Sequence, residues 1–547
     1  MPLFKIDDLQ VWTCGEWKNL PKKYPELRGF STDSRNIPEG FAFVALVANR
    51  DGHDFAQDAV NNGASAVIAS RELAIDAPVL LVKDTLKALQ TIAKFHRLRF
   101  DAPVIGVTGS CGKTTTKEFL KTLLSWRHPL CTKENLNNEI GVALTLTGID
   151  LRDNQCAIVE AGVGAPGQME ELAKMIEPDL ALVTCVTPAH MERFVEISNI
   201  AKEKALLAKN AASGGWALLH HNLLSWKAFE ELNCRKAILA PAEVPDVSGD
   251  LVFRYVLSEE GWLTKIDMCI EGGSEYLFEM PSMTKGMQEN ALLAIAAALM
   301  LGTTEEQIVQ RLELLRPGAM RGSVVEFEGS NYYVDCYNAS PASMKDALRM
   351  FLKLSAEAPR MFVVGDMAEL GLASLRYHRE IGENIPHREG DKALLIGRNA
   401  EIYKSAMLGK GWPEEAIKTF ESSADAAGEI AEFKGWIFAK ASRVCELEKA
   451  LPRGVREALS IESADESCAQ DAEEPCEEGE VKDLENGGDE GEAKESGGEE
   501  GDAFDEDDDG FDESEEDFDE SGEGDESDDE DAQNADSEDD EDERFLS

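Results

Sequence analysis

At 547 residues with 43% hydrophobic content, the chain is long enough for three or four domains, each with a core of its own. Its net charge of -52 is uneven: residues 461–547 hold 44 Asp and Glu against 3 Lys and Arg, a balance of -41, which leaves only -11 on the first 460. Acidic blocks such as 505–509 repel nucleic acid and anionic membranes, and no window approaches the roughly 20 apolar residues of a membrane-spanning helix, so neither kind of partner is expected.

The N-terminal MPLFKIDDLQVW has no basic segment ahead of an apolar core, so no secretion signal is expected. The eleven cysteines form no CxxC pair or ladder, which argues against a zinc site or disulfide framework and for a reducing, cytoplasmic setting.

In chain order, residues 1–98 read as a small α/β domain, with strands at Phe41–Leu46 and Ser65–Ala69 around a helix at Ala56–Asn62. From 99 to 318, apolar strands at Ala102–Thr108, Cys156–Val159 and Leu180–Val186 alternate with helices after Lys113 and over Met169–Ile176. That alternation predicts a parallel sheet with crossover helices. A third series over 319–458 reads as a smaller Rossmann-like domain, with strands at Tyr332–Val334, Met361–Val364, Ala393–Ile396 and Trp436–Ala439. Residues 459–547 read as a disordered acidic tail, too poor in apolar side chains to bury a core. A solubilising appendage is the first expectation for it. Phe504, Phe511 and Phe518, spaced seven apart, hint at docking, with basic proteins as the alternative role.

Thr108-Gly109-Ser110-Cys111-Gly112-Lys113-Thr114, followed by Thr115, joins a strand to a helix and has the makings of a phosphate cradle. Backbone N–H groups and the helix dipole favour an anion, Lys113 adds a point charge, and the Thr114 hydroxyl can reach Mg²⁺. The general pattern asks for glycine where Val107 stands. Glu160 closes one strand and His190 follows the next, so both are expected at the carboxyl ends of parallel strands beside the loop, as candidate metal ligands.

The loop resembles the TGTxGKT form of the Mur ligases and folylpolyglutamate synthetases, in which position 107 need not be glycine. Further segments carry the resemblance: Ser31 to Arg35, Asp51 to Phe55, Asn137 to Gly141, Tyr337-Asn338-Ala339 with Pro341 and Ser343-Met344, and Gly365-Asp366-Met367 with Glu369-Leu370-Gly371. Within the Mur ligase family these resemble the branch that joins D-alanyl-D-alanine to a UDP-N-acetylmuramoyl tripeptide. The resemblance implies an α/β protein of three domains with a central P-loop ATPase-like domain. It also implies an ATP-dependent ligase that forms an amide through an acyl phosphate, in peptidoglycan precursor synthesis. A sibling ligase adding a single amino acid, or a non-catalytic scaffold using the tail, are the rival readings.

By the same resemblance, Lys113 and Arg321 would hold ATP phosphates, Asn290 and Asp335 would contact the nucleotide, and Thr114, Glu160 and His190 would hold Mg²⁺. Lys204, with Lys202 as competitor, would be carbamylated to support the metal. Ser34, Arg35, Asp51 and His53 would serve the UDP-sugar; Asn137, Asn138, Tyr337, Asn338, Lys440, Ser442 and Arg443 would serve substrate. A monomer is expected. The chain departs from the family at Val334, Ser340, Asn222, Gly286 and Ala441, which puts adenine contact and turn geometry in question.

Overall fold

The computed structural model describes residues 2–460. The tail and its Phe504, Phe511 and Phe518 repeat lie outside the described residues. Among those described there are three sheets. The first has the order Glu16–Lys18, Val79–Leu81, Ala66–Ala69, Phe41–Val44, Gly29–Ser31, parallel except for its first pair.

The second sheet has nine strands. Val104–Thr108, buried at every position, sits between Ala157–Glu160 and Leu180–Val183. A strand covered on both faces reads as an unbroken apolar run, and this one does. Parallel pairing continues outward through Trp216–His220 and Arg235–Pro241 to Leu251–Glu260. There the sheet departs from the parallel expectation: Leu251–Glu260, Leu263–Ile270 and Glu275–Pro281 form an antiparallel meander joined by short turns at Gly261 and Gly272, which need no crossover helix.

The third sheet runs Ser323–Phe327, Ser330–Asp335, Trp436–Lys440, Arg360–Gly365, Lys392–Ile396, Ile417–Phe420, parallel after its first, antiparallel pair. Its two faces bury separate apolar clusters, one around Phe351, Phe362 and Phe438, the other around Val334, Val363 and Ile437.

Expected and observed elements differ mainly at their ends. The strand foreseen from Ala102 begins at Val104, because Pro103 has no N–H to give to a neighbour. The strand foreseen to Val186 stops at Val183, after which Thr184 and Cys185 turn to fasten the loop at Ser110. Around residue 98 there is packing instead of a linker. One buried apolar cluster runs from Phe4 to Ile238 and includes Leu89, Ile92, Phe100, Val104, Val142 and Leu146. The buried Arg97 guanidinium donates to the carbonyls of Ile176 and Glu177 and to Asp179. First and second sheets therefore share a core.

Candidate functional site

Three adjacent strands of the second sheet deliver the chemistry to one edge. Thr108 ends one, Glu160 ends its neighbour, and Thr184 follows the other. Between Thr108 and the helix Lys113–Leu123 the chain turns through two glycines with positive φ, Gly109 at 154° and Gly112 at 81°. A Cβ on Gly109 would lie 1.8 Å from the Thr184 hydroxyl, and one on Gly112 would lie 2.5 Å from the side chain of Asn290. Neither position admits a side chain, so the backbone itself lines the loop. Ser110 ties the turn down, its hydroxyl donating to the Thr187 carbonyl at 2.9 Å. The Lys113 ammonium donates to the Gly109 carbonyl at 2.9 Å, folded back across the mouth of the turn.

Glu160 is 1% exposed, and the groups around it are what the sequence expected only in part. Its Oε1 accepts from Thr114 Oγ1 at 3.2 Å and from Asn137 Nδ2 at 2.8 Å. Its Oε2 is buried and accepts no hydrogen bond. Lys117, also 1% exposed, stands 3.8 Å from that oxygen while donating to the Thr132 carbonyl at 2.8 Å. A buried carboxylate oxygen left without a donor is costly unless a cation completes it. Mg²⁺ fits this donor set: it keeps several waters and takes one or two carboxylates together with substrate phosphates. Among the described residues no three His, Cys, Asp or Glu side chains form a metal cluster of their own. Thr114 and Glu160 meet, as expected for a shared ion. His190 is held elsewhere, in left-handed backbone at φ 52°, its Nδ1 donating to Glu369 Oε2 at 2.5 Å. That contact holds Glu369 below the usual carboxylate range.

The two candidate lysines of the helix Ile197–Lys209 separate cleanly. Lys202 is exposed, and Lys204 is 3% exposed. Burial, reinforced by the nearby charge of Lys113, pushes the Lys204 ammonium down to about 7.

The third sheet reaches the loop through Arg321, which donates to Thr114 Oγ1 at 3.1 Å while its guanidinium lies 4.0 Å over the Tyr337 ring. Asp335 and Lys440, expected to face different ligands, face each other. The Lys440 ammonium donates to Asp335 Oδ2 at 2.8 Å and to the carbonyls of Asn338 and Asp335, occupying its three N–H groups. Arg443 donates to Glu448 at 2.5 Å, and the buried Ser442 gives its N–H to the Asp366 carbonyl. Asn138 caps the helix Glu139–Thr147. The departures have local reasons. Ser340 forms a capping box with Ser343, while Gly286 gives its bare N–H to Asp346 at 2.8 Å.

In the first sheet's region, Asp51, His53 and Ser70 form a chain. His53 Nδ1 donates to Asp51 at 2.5 Å, and Nε2 accepts the Ser70 N–H at 2.9 Å, so the imidazole is occupied internally. Arg35 pairs with Asp33 and is exposed; Ser34 accepts from Asn62 through its carbonyl.

Two family models cover more than half of the chain: the Mur ligase middle domain matches residues 107–298, and the Mur ligase, glutamate ligase domain matches residues 320–443. The chain is a Mur ligase. Among its relatives, the UDP-N-acetylmuramoyl-tripeptide--D-alanyl-D-alanine ligase of Bacillus subtilis (strain 168) is 30% identical over 83% of this chain and 99% of its own length. The protein of the same name from Escherichia coli (strain K12) is 31% identical over 70% of this chain and 83% of its own. A solved MurF from Acinetobacter baumannii superposes with a TM-score of 0.71 at 26% identity, covering 84% of this chain and 99% of that one. MurF ligase from Thermotoga maritima, solved in complex with ADP, gives 0.65 at 25%, covering 79% and 97%.

In this Mur ligase, sequence reasoning passed over two residues that the fold brings to the site. Lys117 follows Thr114 by three helical positions and so shares its face, which the spacing could have revealed. Glu369 lay within a quoted motif, but its pairing with His190 joins loops of different sheets and has no local signal.

Proposed function

We propose that this Mur ligase joins D-alanyl-D-alanine to UDP-N-acetylmuramoyl-tripeptide at the expense of ATP, in cytoplasmic peptidoglycan precursor synthesis. The observation that carries the reading is the meeting of Thr114, Glu160 and Arg321 beside Lys113, at a loop whose Gly109 and Gly112 have no room for side chains, in a chain that matches MurF relatives over most of its length. In the reaction the tripeptide carboxylate takes the γ-phosphoryl group to give an acyl phosphate and ADP. The dipeptide amine then attacks the carbonyl carbon, the C–O bond to phosphate breaks, and an amide and inorganic phosphate remain.

The residues have distinct tasks. The N–H groups from Gly109 to Thr114 and the Lys113 ammonium bind phosphate oxygens. Thr114 and Glu160 would hold Mg²⁺, which when bound neutralises the charge of the approaching anions. The Arg321 fork suits phosphate oxygens, and its guanidinium is held over the Tyr337 ring. Asn290 borders the loop at Gly112 and would meet the nucleotide there. Lys204 supplies a carbamate: a neutral amine adds to CO₂, forming an N–C bond and releasing a proton, and burial makes that neutral form available near pH 7. His190 is oriented by Glu369 with its other ring nitrogen free of that contact, as second-shell carboxylates orient metal-binding imidazoles. Residues 1–98 would take the UDP-sugar, 99–318 ATP and 319–458 the incoming dipeptide. There Ser34, Arg35, Asp51 and Tyr337 would be the side chains that meet substrate. Lys440 and His53 shape the backbone around them.

The test is phosphate release by the purified chain with ATP, Mg²⁺ and the UDP-linked tripeptide. Release with D-alanyl-D-alanine and none with single amino acids is expected. Release only with a single amino acid would make the chain a sibling ligase, and no release with any acceptor would count for a scaffold.

A further inference from the structure

The cysteine spacing argued against a disulfide framework, yet the fold brings Cys111 and Cys185, 74 residues apart, to a Sγ–Sγ separation of 3.0 Å. Cys111 occupies the variable place of the phosphate loop. Cys185 follows the strand Leu180–Val183 and accepts the Ser110 N–H on its carbonyl at 2.9 Å, so the two backbones are already fastened side by side. Both residues are partly exposed. Among the described residues no other two cysteines are in hydrogen-bond contact.

We propose that Cys111 and Cys185 are an oxidation site at which a small peroxide forms a reversible disulfide that switches the phosphate loop off. The two sulfurs have different parts. The short contact with Cys111, in which either sulfur can be the donor, holds the Cys185 thiol below its ordinary range. The same contact, together with burial, pushes the Cys111 thiol well up. Cys185 therefore supplies the thiolate. It attacks one peroxide oxygen: an S–O bond forms, the O–O bond breaks, and the departing hydroxide is protonated to water. The Cys111 sulfur then attacks the Cys185 sulfur, the S–S bond forms, the S–O bond breaks, and the second hydroxide takes the Cys111 proton as water. Two thiols lose two electrons and hydrogen peroxide is reduced to two waters.

A disulfide needs a sulfur separation of about 2.05 Å, so the present contact must close by about 1 Å. Cys185 is held next to the sheet by the Ser110 bond, and Thr184 still pairs with Thr108. The movement therefore falls on the loop, between Gly109 and Gly112, whose N–H groups form the cradle. This consequence rests on the reading of the loop as the ATP site; the bond itself does not.

The experiment uses the full chain exposed to graded hydrogen peroxide. Peptide mass mapping is expected to find a Cys111–Cys185 cross-link at doses that leave the exposed Cys14 largely unmodified. ATP affinity measured by calorimetry should fall at least tenfold and return with dithiothreitol. Cys185→Ala, or Cys185→Ser if the alanine variant does not fold, should bind ATP like the reduced parent and keep doing so after the same dose. Absence of the cross-link overturns the proposal, as does a cross-linked chain that binds ATP undiminished, or a Cys185 variant that loses binding as fast as the parent. If the reduced chain takes up no ATP, the ligase reading fails instead, and the cross-link is still read by mass.

Discussion

Single side chains here are governed by how far burial can be offset. Glu160 carries a buried oxygen with no donor, and Lys204 a buried ammonium beside Lys113; on the proposed reading an anionic ligand and its cation would rebalance both. Lys113→Ala should lower turnover at least a hundredfold with the thermal midpoint little changed, since the ammonium touches only the Gly109 carbonyl; parallel assay and melting measurements would check this. Incubation with ¹³C-bicarbonate should yield a carbamate resonance that disappears in Lys204→Ala and persists in Lys202→Ala, because of the two only Lys204 is buried, with its neutral amine available near pH 7. His220 offers a pH test away from the site. Buried against Tyr255 and beside His221, its imidazole is pushed down to about 4, chiefly by burial. The unfolded chain binds that proton first, so stability falls as pH drops from about 6.5 to about 4 and levels off below. The contribution is about 3 kcal/mol, and urea titrations across that window should show it flattened in His220→Asn.

At the scale of elements, the phosphate loop depends on two glycines for different reasons. Gly109→Ala would drive a methyl group into the Thr184 hydroxyl, which already donates to Cys111 and Thr108 carbonyls. It should cost about 2 kcal/mol in denaturant titration and abolish nucleotide uptake, through the positive φ as much as the collision. The strand Val104–Thr108 was legible because an unbroken apolar run followed by Gly-x-x-Gly-Lys-Thr has one ready physical meaning. The meander over Leu251–Pro281 was not. Its strands alternate polar and buried residues only on one face of a sheet whose other members are covered on both, so nothing local ties it to the phosphate-binding sheet.

For the whole molecule, the contacts that complete the site are those between sheets. Arg321 reaches Thr114, Glu369 reaches His190 and accepts the Met191 N–H on its carbonyl, and Asp346 caps the helix Lys285–Met300 through Lys285 and Gly286. Glu369→Ala should raise hydrogen exchange around 190–194 several-fold and lower kcat more than it raises KM, because it loosens closure without touching the phosphate loop. Removing 461–547 takes away -41 of the -52 net charge. The shortened chain should release phosphate at the parental rate, as the site residues all precede it, and should lose any low-salt retention of basic proteins; a turnover assay and a pull-down with a basic protein at two salt concentrations would check both.

The order of apolar runs, the glycine-lysine-threonine turn and the acid and histidine at strand ends determined, from sequence alone, the class of fold, the phosphate chemistry and the family. Those signals are local, being set by backbone geometry and by side chains within a turn of one another. What tertiary structure decided is which candidates are free to act. It buried Lys204 and exposed Lys202, occupied Lys440 with Asp335 and His53 with Asp51, gave His190 a partner in Glu369, and set Cys111 against Cys185. Each of those outcomes depends on burial or on a pairing across long stretches of chain, and neither quantity is carried by residue type or spacing.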